Sequence, residues 1–181
     1  MQLNIYLLTH PFIQILSNHI VEKEEHNNFI YYLKSQQLGT FLIYEAVRKW
    51  ISLKNIYIKK INYIQQLKVH YPLESYLIIS DLTTSHSIIT NAAKLFPYIQ
   101  FKDISNIYEQ VNYRKNEKSF FFEKSLCNYN TIKSIDYLIQ YRGINVNQMK
   151  VACIICNNKV LNLIGESYPG LEIYTTKIIN F

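Results

Sequence analysis
The chain has 181 residues, a formal net charge of +6 and 49% hydrophobic residues. That length suits one domain with a real core, and the composition excludes a disordered or fibrous chain. It holds four glycines, at 39, 143, 165 and 170, where an average chain would carry about 7%, or roughly a dozen; phosphate cradles built on bare backbone amides have little to draw on.

The opening MQLNIYLLTHPF has no charged start and too short an apolar stretch for a secretory signal or a membrane span, and no Arg/Ser-rich transit peptide is expected. Asn4 to Leu8 suits a short first strand or arm. His10-Pro11 opens a helix with proline near its first position, and Phe12, Ile15, Leu16 and His19 fall at helical spacing. Glu22 to Asn28 is a charged connection. A longer helix is expected from about Asn28 to Trp50, with Phe29, Tyr32, Leu33, Leu38, Phe41, Leu42 and Ala46 on its apolar face. Trp50 is expected to anchor its end in the core, and Glu45 and Arg48, three apart, to pair on its surface or across a dimer interface.

Asn55 to Ile64 alternates and reads as one strand. Ser75 to Ser80, SYLIIS, reads as a buried parallel strand. A polar loop from Asp81 to Ser87 then leads to a helix from about Ile88 to Phe96, ended by Pro97. Tyr98 to Lys102 suits a strand, and Asp103 to Lys118 reads as loops with an edge strand. Phe120 to Phe122 is another buried strand. The loop Glu123 to Thr131 follows it, then a helix from about Asn130 to Tyr141 with Gly143 just past its end. Val151 to Cys156, Lys159 to Tyr168 and Leu171 to Thr175 read as strand, helix and strand. Strands alternating with helices imply an α/β fold: a mainly parallel sheet with helices on both faces. No repeat or low-complexity segment is present.

The segment from Ser119 to Ile154 has the strand–loop–helix–strand form that binds phosphate at a helix start. Yet its loop contains no glycine, and Tyr129 stands where the tightest turn is expected. Cys153 and Cys156 form a C-x-x-C inside an apolar strand, where residues three apart point to opposite faces. Buried free thiols in a reducing compartment, together with Cys127, fit better than a metal site. The positive charge leaves two readings open: polyanion binding through Lys59, Lys60, Arg114, Lys115, Lys118 and Lys124, or an ordinary basic surface. Sixteen tyrosines, among them Tyr31, Tyr32, Tyr57, Tyr63, Tyr71, Tyr108 and Tyr113, interleave with lysines. That pattern suits base stacking as well as ordinary packing. His10 reads as a helix-entry residue, and His19, His26 and His70 have no metal-ligand spacing.

Four pieces resemble the uracil phosphoribosyltransferase family, in order and at nearly its spacing: Thr9-His10-Pro11-Phe12-Ile13-Gln14, Phe41-Leu42-Ile43-Tyr44-Glu45-Ala46-Val47-Arg48, the Ser119 to Cys156 unit, and Tyr168-Pro169-Gly170-Leu171-Glu172-Ile173-Tyr174-Thr175. The chain resembles the degenerate, truncated homologues encoded in red-algal plastid genomes, which suits a composition rich in amino acids of A/T-rich codons. The resemblance implies a type I phosphoribosyltransferase-like fold in a single domain over residues 1–181. It implies the family's reaction, uracil and phosphoribosyl diphosphate giving UMP and diphosphate in pyrimidine salvage. A homodimer is implied by analogy, and plastid stroma if the gene is organellar, cytoplasm otherwise.

The departures from the family pattern fall on the chemistry. The ribose-phosphate-loop positions are Glu123, Asn128, Tyr129, Asn130 and Thr131, where the family has an acid and T-G-G-S; Thr131 alone keeps a hydroxyl, which would cap the helix. The diphosphate-loop positions are Thr83, Thr84, Ser85, His86 and Ser87, where the family has R-A-G-L-G. His86 reads as an exposed loop histidine, since near pH 7 it does not replace a guanidinium. The family's C-terminal base-binding segment has no counterpart after Phe181. The spans before Tyr76 and from Phe101 to Ser119 look too short for the family's hairpin and flexible loop. These departures imply a catalytically inactive homologue with no catalytic residues, metal or cofactor, with Mg²⁺ and phosphoribosyl diphosphate entering only if the family activity survives. Two alternatives remain at this level: residual uracil phosphoribosyltransferase activity, or a non-catalytic dimeric scaffold that binds protein or RNA, with no membrane partner.

Overall fold
Six strands pair in parallel in the order β1-β8-β7-β6-β4-β5, and a separate antiparallel pair, β2-β3, stands outside that sheet. The computed structural model describes residues 3–22, 29–71, 74–91, 94, 96, 98–108 and 117–180. The expectations placed on 23–28, His26, Pro97, Tyr113, Arg114 and Lys115 lie outside the described residues. The strands are β1 (Asn4–Leu7), β2 (Leu53–Lys59), β3 (Ile64–His70), β4 (Tyr76–Ser80), β5 (Ile99–Asp103), β6 (Lys118–Leu126), β7 (Met149–Asn157) and β8 (Glu172–Ile179). The helices are α1 (Pro11–Glu22), α2 (Phe29–Val47), α3 (Leu82–Ile89), α4 (Tyr129–Asp136) and α5 (Asn158–Ser167).

Both faces of the sheet are covered, as expected for α/β. One face takes Ile78, Phe120, Phe122, Ala152 and Ile154 against α1, α2 and α3. The other takes Ile79, Phe121, Val151 and Ile173 against α4 and α5. A strand buried on both sides has no reason to alternate, which is why SYLIIS and SFFF are continuous apolar runs.

The helix faces differ from the expected ones. On α1 the buried residues are Ile13, Leu16, Ser17 and Ile20, while Phe12 and Ile15 are exposed. Two polar side chains set that rotation: Ser17 Oγ lies 2.6 Å from Thr176 Oγ1, and Gln14 Nε2 donates to the carbonyls of Leu8 and Thr176. On α2 the inner face is Tyr31, Ser35, Leu38, Gly39, Leu42, Ile43, Ala46 and Val47. Phe29, Tyr32, Leu33 and Phe41 are exposed. Gly39 lies inside because α3 crosses there: a Cβ on Gly39 would sit 1.8 Å from the Ile88 carbonyl oxygen.

The stretch expected as one strand is a hairpin. β2 and β3 register from Leu53↔His70 to Lys59↔Ile64, and Lys60 N–H donates to Tyr63 O across the turn. The span expected to lack room for the family's full hairpin does hold a hairpin, with β2 exposed along its whole length. The helix expected from Ile88 instead begins at Leu82 and ends at Ile89. Its first turn, rich in threonine and serine, reads as a loop until Asp81 is recognised as its cap. β6 is nine residues long, since Glu123, Ser125 and Leu126 continue to register with β7. The loop expected over 123–131 shrinks to Cys127 and Asn128. The turn is made without any non-glycine residue at positive φ, and Tyr129 is simply the first residue of α4. Gly143, at φ +67°, ends the helical stretch as expected.

Cys153 and Cys156 share one face, contrary to strict alternation: both belong to the core beneath α4 and α5. Alternation lapses because Ile154 registers with neither neighbouring strand. Its carbonyl instead accepts from the hydroxyls of Thr175 (3.3 Å) and Thr176 (2.7 Å). Both thiols are free.

Two lysines fasten the end of α2 to the amino ends of the strands. Lys150 Nζ, buried, lies 2.8 Å from Ala46 O and 2.8 Å from Glu172 Oε2, and 4.8 Å from the centre of the Trp50 ring. Lys118 Nζ donates to Trp50 O at 2.5 Å and to Glu74 Oε1 at 2.9 Å. Carbonyls at a helix end need outside donors, and here strand lysines supply them. Trp50 packs against the core, and Glu45 pairs with Arg48 at 3.1 Å on the surface.

The Gly39 crossing gives a stability prediction. Alanine in place of a helical glycine gains about 1 kcal/mol of propensity, but overpacking costs about 1–3 kcal/mol or more, and the atom struck is backbone. Gly39→Ala is expected to lower the urea midpoint with an unchanged m-value; an unchanged or raised midpoint contradicts the crossing.

Candidate functional site
The strand order reverses between β4 and β6. From β4 the chain goes through α3 to β5 on one side; from β6 it goes through α4 to β7 on the other. In such sheets the ligand crevice lies outside the carboxyl ends of the strands at the reversal. Ser80 registers with Asp103 on one side and with Phe122 on the other, so Asp81, Asp103 and Glu123 stand together along this edge.

Asp81 is the N-cap of α3. Its carboxylate accepts from Thr83 N–H (2.9 Å), Thr83 Oγ1 (2.5 Å) and Thr84 Oγ1 (2.9 Å). Asp103 Oδ2 accepts from Leu82 N–H at 2.9 Å, and Asp103 Oδ1 from Ser105 N–H at 2.8 Å. The first amides of α3 are therefore spoken for by the protein's own carboxylates. The Thr83 hydroxyl bond, opposed by burial and helped by Thr84, holds Asp81 below the usual carboxylate range. The Ser105 bonds do the same for Asp103.

Glu123 behaves the other way. Burial pushes its carboxyl up, the Thr131 hydroxyl bond pulls it down, and the negative charge of Asp81 pushes it up again; the net shift is upward. Thr131 Oγ1 donates to Glu123 Oε2 at 2.5 Å. Thr131 is thus not the cap of α4 but sits three residues inside it. Asn128 holds the cap position, and its side chain makes no capping bond. Asn128, Tyr129 and Asn130 are exposed around the helix start.

The five diphosphate-loop positions lie within α3. Thr83, Thr84, His86 and Ser87, with Tyr31, Tyr32 and Lys124, line a cavity of about 470 Å³. Ser85 points inward and is fully buried. His86 is exposed, on a helix rather than a loop. Lys124 Nζ is directed to the Tyr31 hydroxyl at 3.3 Å. The structure thus brings Glu123 and Thr131 into direct contact and leaves Asn128, Tyr129 and Asn130 at the rim. It places the second set one strand away, joined to the first through Asp81 and Lys124. Sequence reasoning missed Asp81 and Asp103. Their signal was present: each is an Asp two residues before a Ser or Thr whose N–H it accepts. Among the described residues no three His, Cys, Asp or Glu side chains form a candidate metal site.

The raised Glu123 carboxyl fixes a pH dependence. A carboxyl raised in the folded state contributes fully below its unfolded value, near 4.5, and that contribution is lost as pH rises through the folded value. Glu123→Gln keeps an acceptor for Thr131 and removes the buried charge. Its stability relative to the parent is therefore expected to rise between pH 4 and neutrality, read as denaturant midpoints across that range. A variant that loses ground over that interval contradicts the shift.

No protein-family model matches the chain. Its sequence is 28% identical over 184 residues to the uracil phosphoribosyltransferase homolog of Porphyra purpurea, covering 98% of this chain and 89% of that protein. It is 25% identical over 153 residues to the chloroplastic uracil phosphoribosyltransferase of Arabidopsis thaliana, covering 76% of this chain and 51% of that one. The fold matches the solved structure of a protein from Aquifex aeolicus with a TM-score of 0.77 at 16% identity, over 97% of this chain and 88% of that one.

Proposed function
We propose that the chain is a member of the uracil phosphoribosyltransferase family, as its similarity to relatives of that name supports, and that it keeps the fold and has lost phosphoribosyl transfer. The observation that carries this reading is the occupancy of the α3 start. Leu82 and Thr83 N–H, the amides best placed to meet a diphosphate, donate to Asp103 and Asp81 instead. The transfer reaction expels diphosphate, and stabilising that leaving charge is a large part of such catalysis. Here the edge presents two carboxylates held ionised and a third, Glu123, beside Asp81. Lys124, the one lysine among the described residues lining the adjoining cavity, is directed to Tyr31. The donor set therefore does not fit phosphoribosyl diphosphate with its Mg²⁺, and no step is routed through them.

The Lys124 cavity supports a second reading, residual uracil phosphoribosyltransferase activity, because hydroxyls and one cation around 470 Å³ could seat a polar ligand. Labelled uracil with phosphoribosyl diphosphate and Mg²⁺ separates the two: the proposal expects UMP no faster than the no-protein control. Turnover above that control overturns the proposal and installs the second reading.

The protein is further proposed to act as a homodimer in a plastid. The exposed hairpin is the support for the first part. Leu53, Ile56, Ile58, Ile64 and Leu67 are all exposed on it, and a two-stranded pair is marginal alone in water. The plastid assignment rests on the red-algal and chloroplastic relatives.

A further inference from the structure
The outer side of α4 and the turn that follows it carry aromatic rings interleaved with cations. Beyond Asp136 the helix widens into a π-helical turn, Tyr137–Tyr141, in which Arg142 N–H donates to Tyr137 O at 3.2 Å. Such widened turns recur at functional sites. Tyr137 and Tyr141 stack with ring centres 5.6 Å apart at 22°. Tyr108, from the segment after β5, meets Tyr137 edge-on at 4.7 Å. The Arg142 guanidinium lies 5.2 Å over the Tyr137 ring and is steadied by the Tyr108 carbonyl at 3.4 Å.

Tyr137 is half-buried and packs against the core beneath α4 and α5, while the rings around it face outward. Tyr141 is 77% exposed, Tyr108 59% and Tyr129, at the head of the same helix, 61%. Lys133, exposed, stands one turn before Tyr137 and one turn after Tyr129. Asp136 is the sole acid between Glu123 and Glu166, and it lies against the Tyr168 hydroxyl. The outer stripe therefore offers ring faces and positive charge, in a chain of net charge +6.

We propose that the stripe formed by Tyr129, Lys133, Tyr137, Tyr141, Arg142 and Tyr108 is a binding surface for single-stranded nucleic acid. Unpaired bases stack on the exposed faces of Tyr141 and Tyr108, and Lys133 meets the phosphates. Stacking accepts any base, while duplex bases have no free faces to offer. Charge complementarity selects a polyanion over a neutral peptide. The proposal stands apart from the loss of transfer activity: of its residues only Tyr129 reaches the rim of the crevice between β4 and β6, and Lys133, Tyr137, Tyr141, Arg142 and Tyr108 do not line the cavity there.

The test is fluorescence anisotropy of a labelled single-stranded oligouridylate with the full chain, at low and high salt. Binding is expected at low salt and is expected to weaken as salt rises. Tyr141→Ala, at an exposed site that spares the fold, is expected to weaken binding by about 5- to 150-fold, the equivalent of one lost stacked base. Lys133→Gln is expected to lower the log–log salt slope by about 0.7. Tyr63→Ala on the hairpin is expected to leave affinity unchanged. No binding at low salt, equal binding of a duplex, equal loss from Tyr63→Ala, or displacement of the oligonucleotide by a proline-rich peptide would each overturn the proposal.

Discussion
At Gly39 the backbone of α2 lies against the Ile88 carbonyl of α3, with no room for even a methyl group between them. The rest of the candidate-site face depends on that approach. It seats α3 on the sheet with Ser85, Ile88 and Ile89 inward, and so turns Thr83, Thr84, His86 and Ser87 toward Tyr31, Tyr32 and Lys124. At its far end α2 is tied by Lys150 and Lys118, whose ammonium groups take the Ala46 and Trp50 carbonyls. Breaking a buried ion pair from one side costs about 3–5 kcal/mol, so this second anchor is costly to lose. One helix is thus fixed by a missing side chain at its middle and by two long ones at its end.

The crevice between β4 and β6 inherits its character from the caps. Helix starts favour anions because their amides lack partners. Asp81 and Asp103 supply those partners from within the chain, and the favourable field is spent on them. Burial raises the cost of ionising Glu123, the Thr131 hydroxyl offsets part of it, and the charge on Asp81 adds to it. At this edge the first amides of α3 are taken by the chain's own carboxylates.

Much of the architecture was legible in the chain. Continuous apolar runs such as SYLIIS and SFFF marked strands buried on both faces, and their alternation with helices gave the parallel sheet. What was hidden was hidden for physical reasons. Thr83 to Ser87 looked like a loop because polar residues dominate a first turn that one capping aspartate makes helical. Glu123 to Leu126 looked like a loop because pairing with the long β7, not local propensity, extends β6. The faces of α1 and α2 were misjudged because Ser17 and Gly39 are inward, where a hydrogen bond to Thr176 and a close helix approach outrank hydrophobicity. Cys153 and Cys156 share a face because two threonine hydroxyls interrupt the alternation at Ile154. The absence of glycine around Tyr129 proved less costly to the backbone than the sequence implied, since that turn needs no positive φ. The carboxylates that dominate the site, Asp81 and Asp103, were in plain view but fell outside the motif positions.

The central claim, that this edge repels rather than holds a phosphorylated sugar, is tested most directly by calorimetric titration of phosphoribosyl diphosphate with Mg²⁺ into the intact protein. The account predicts no saturable heat beyond dilution. A one-to-one isotherm in the micromolar range would contradict it.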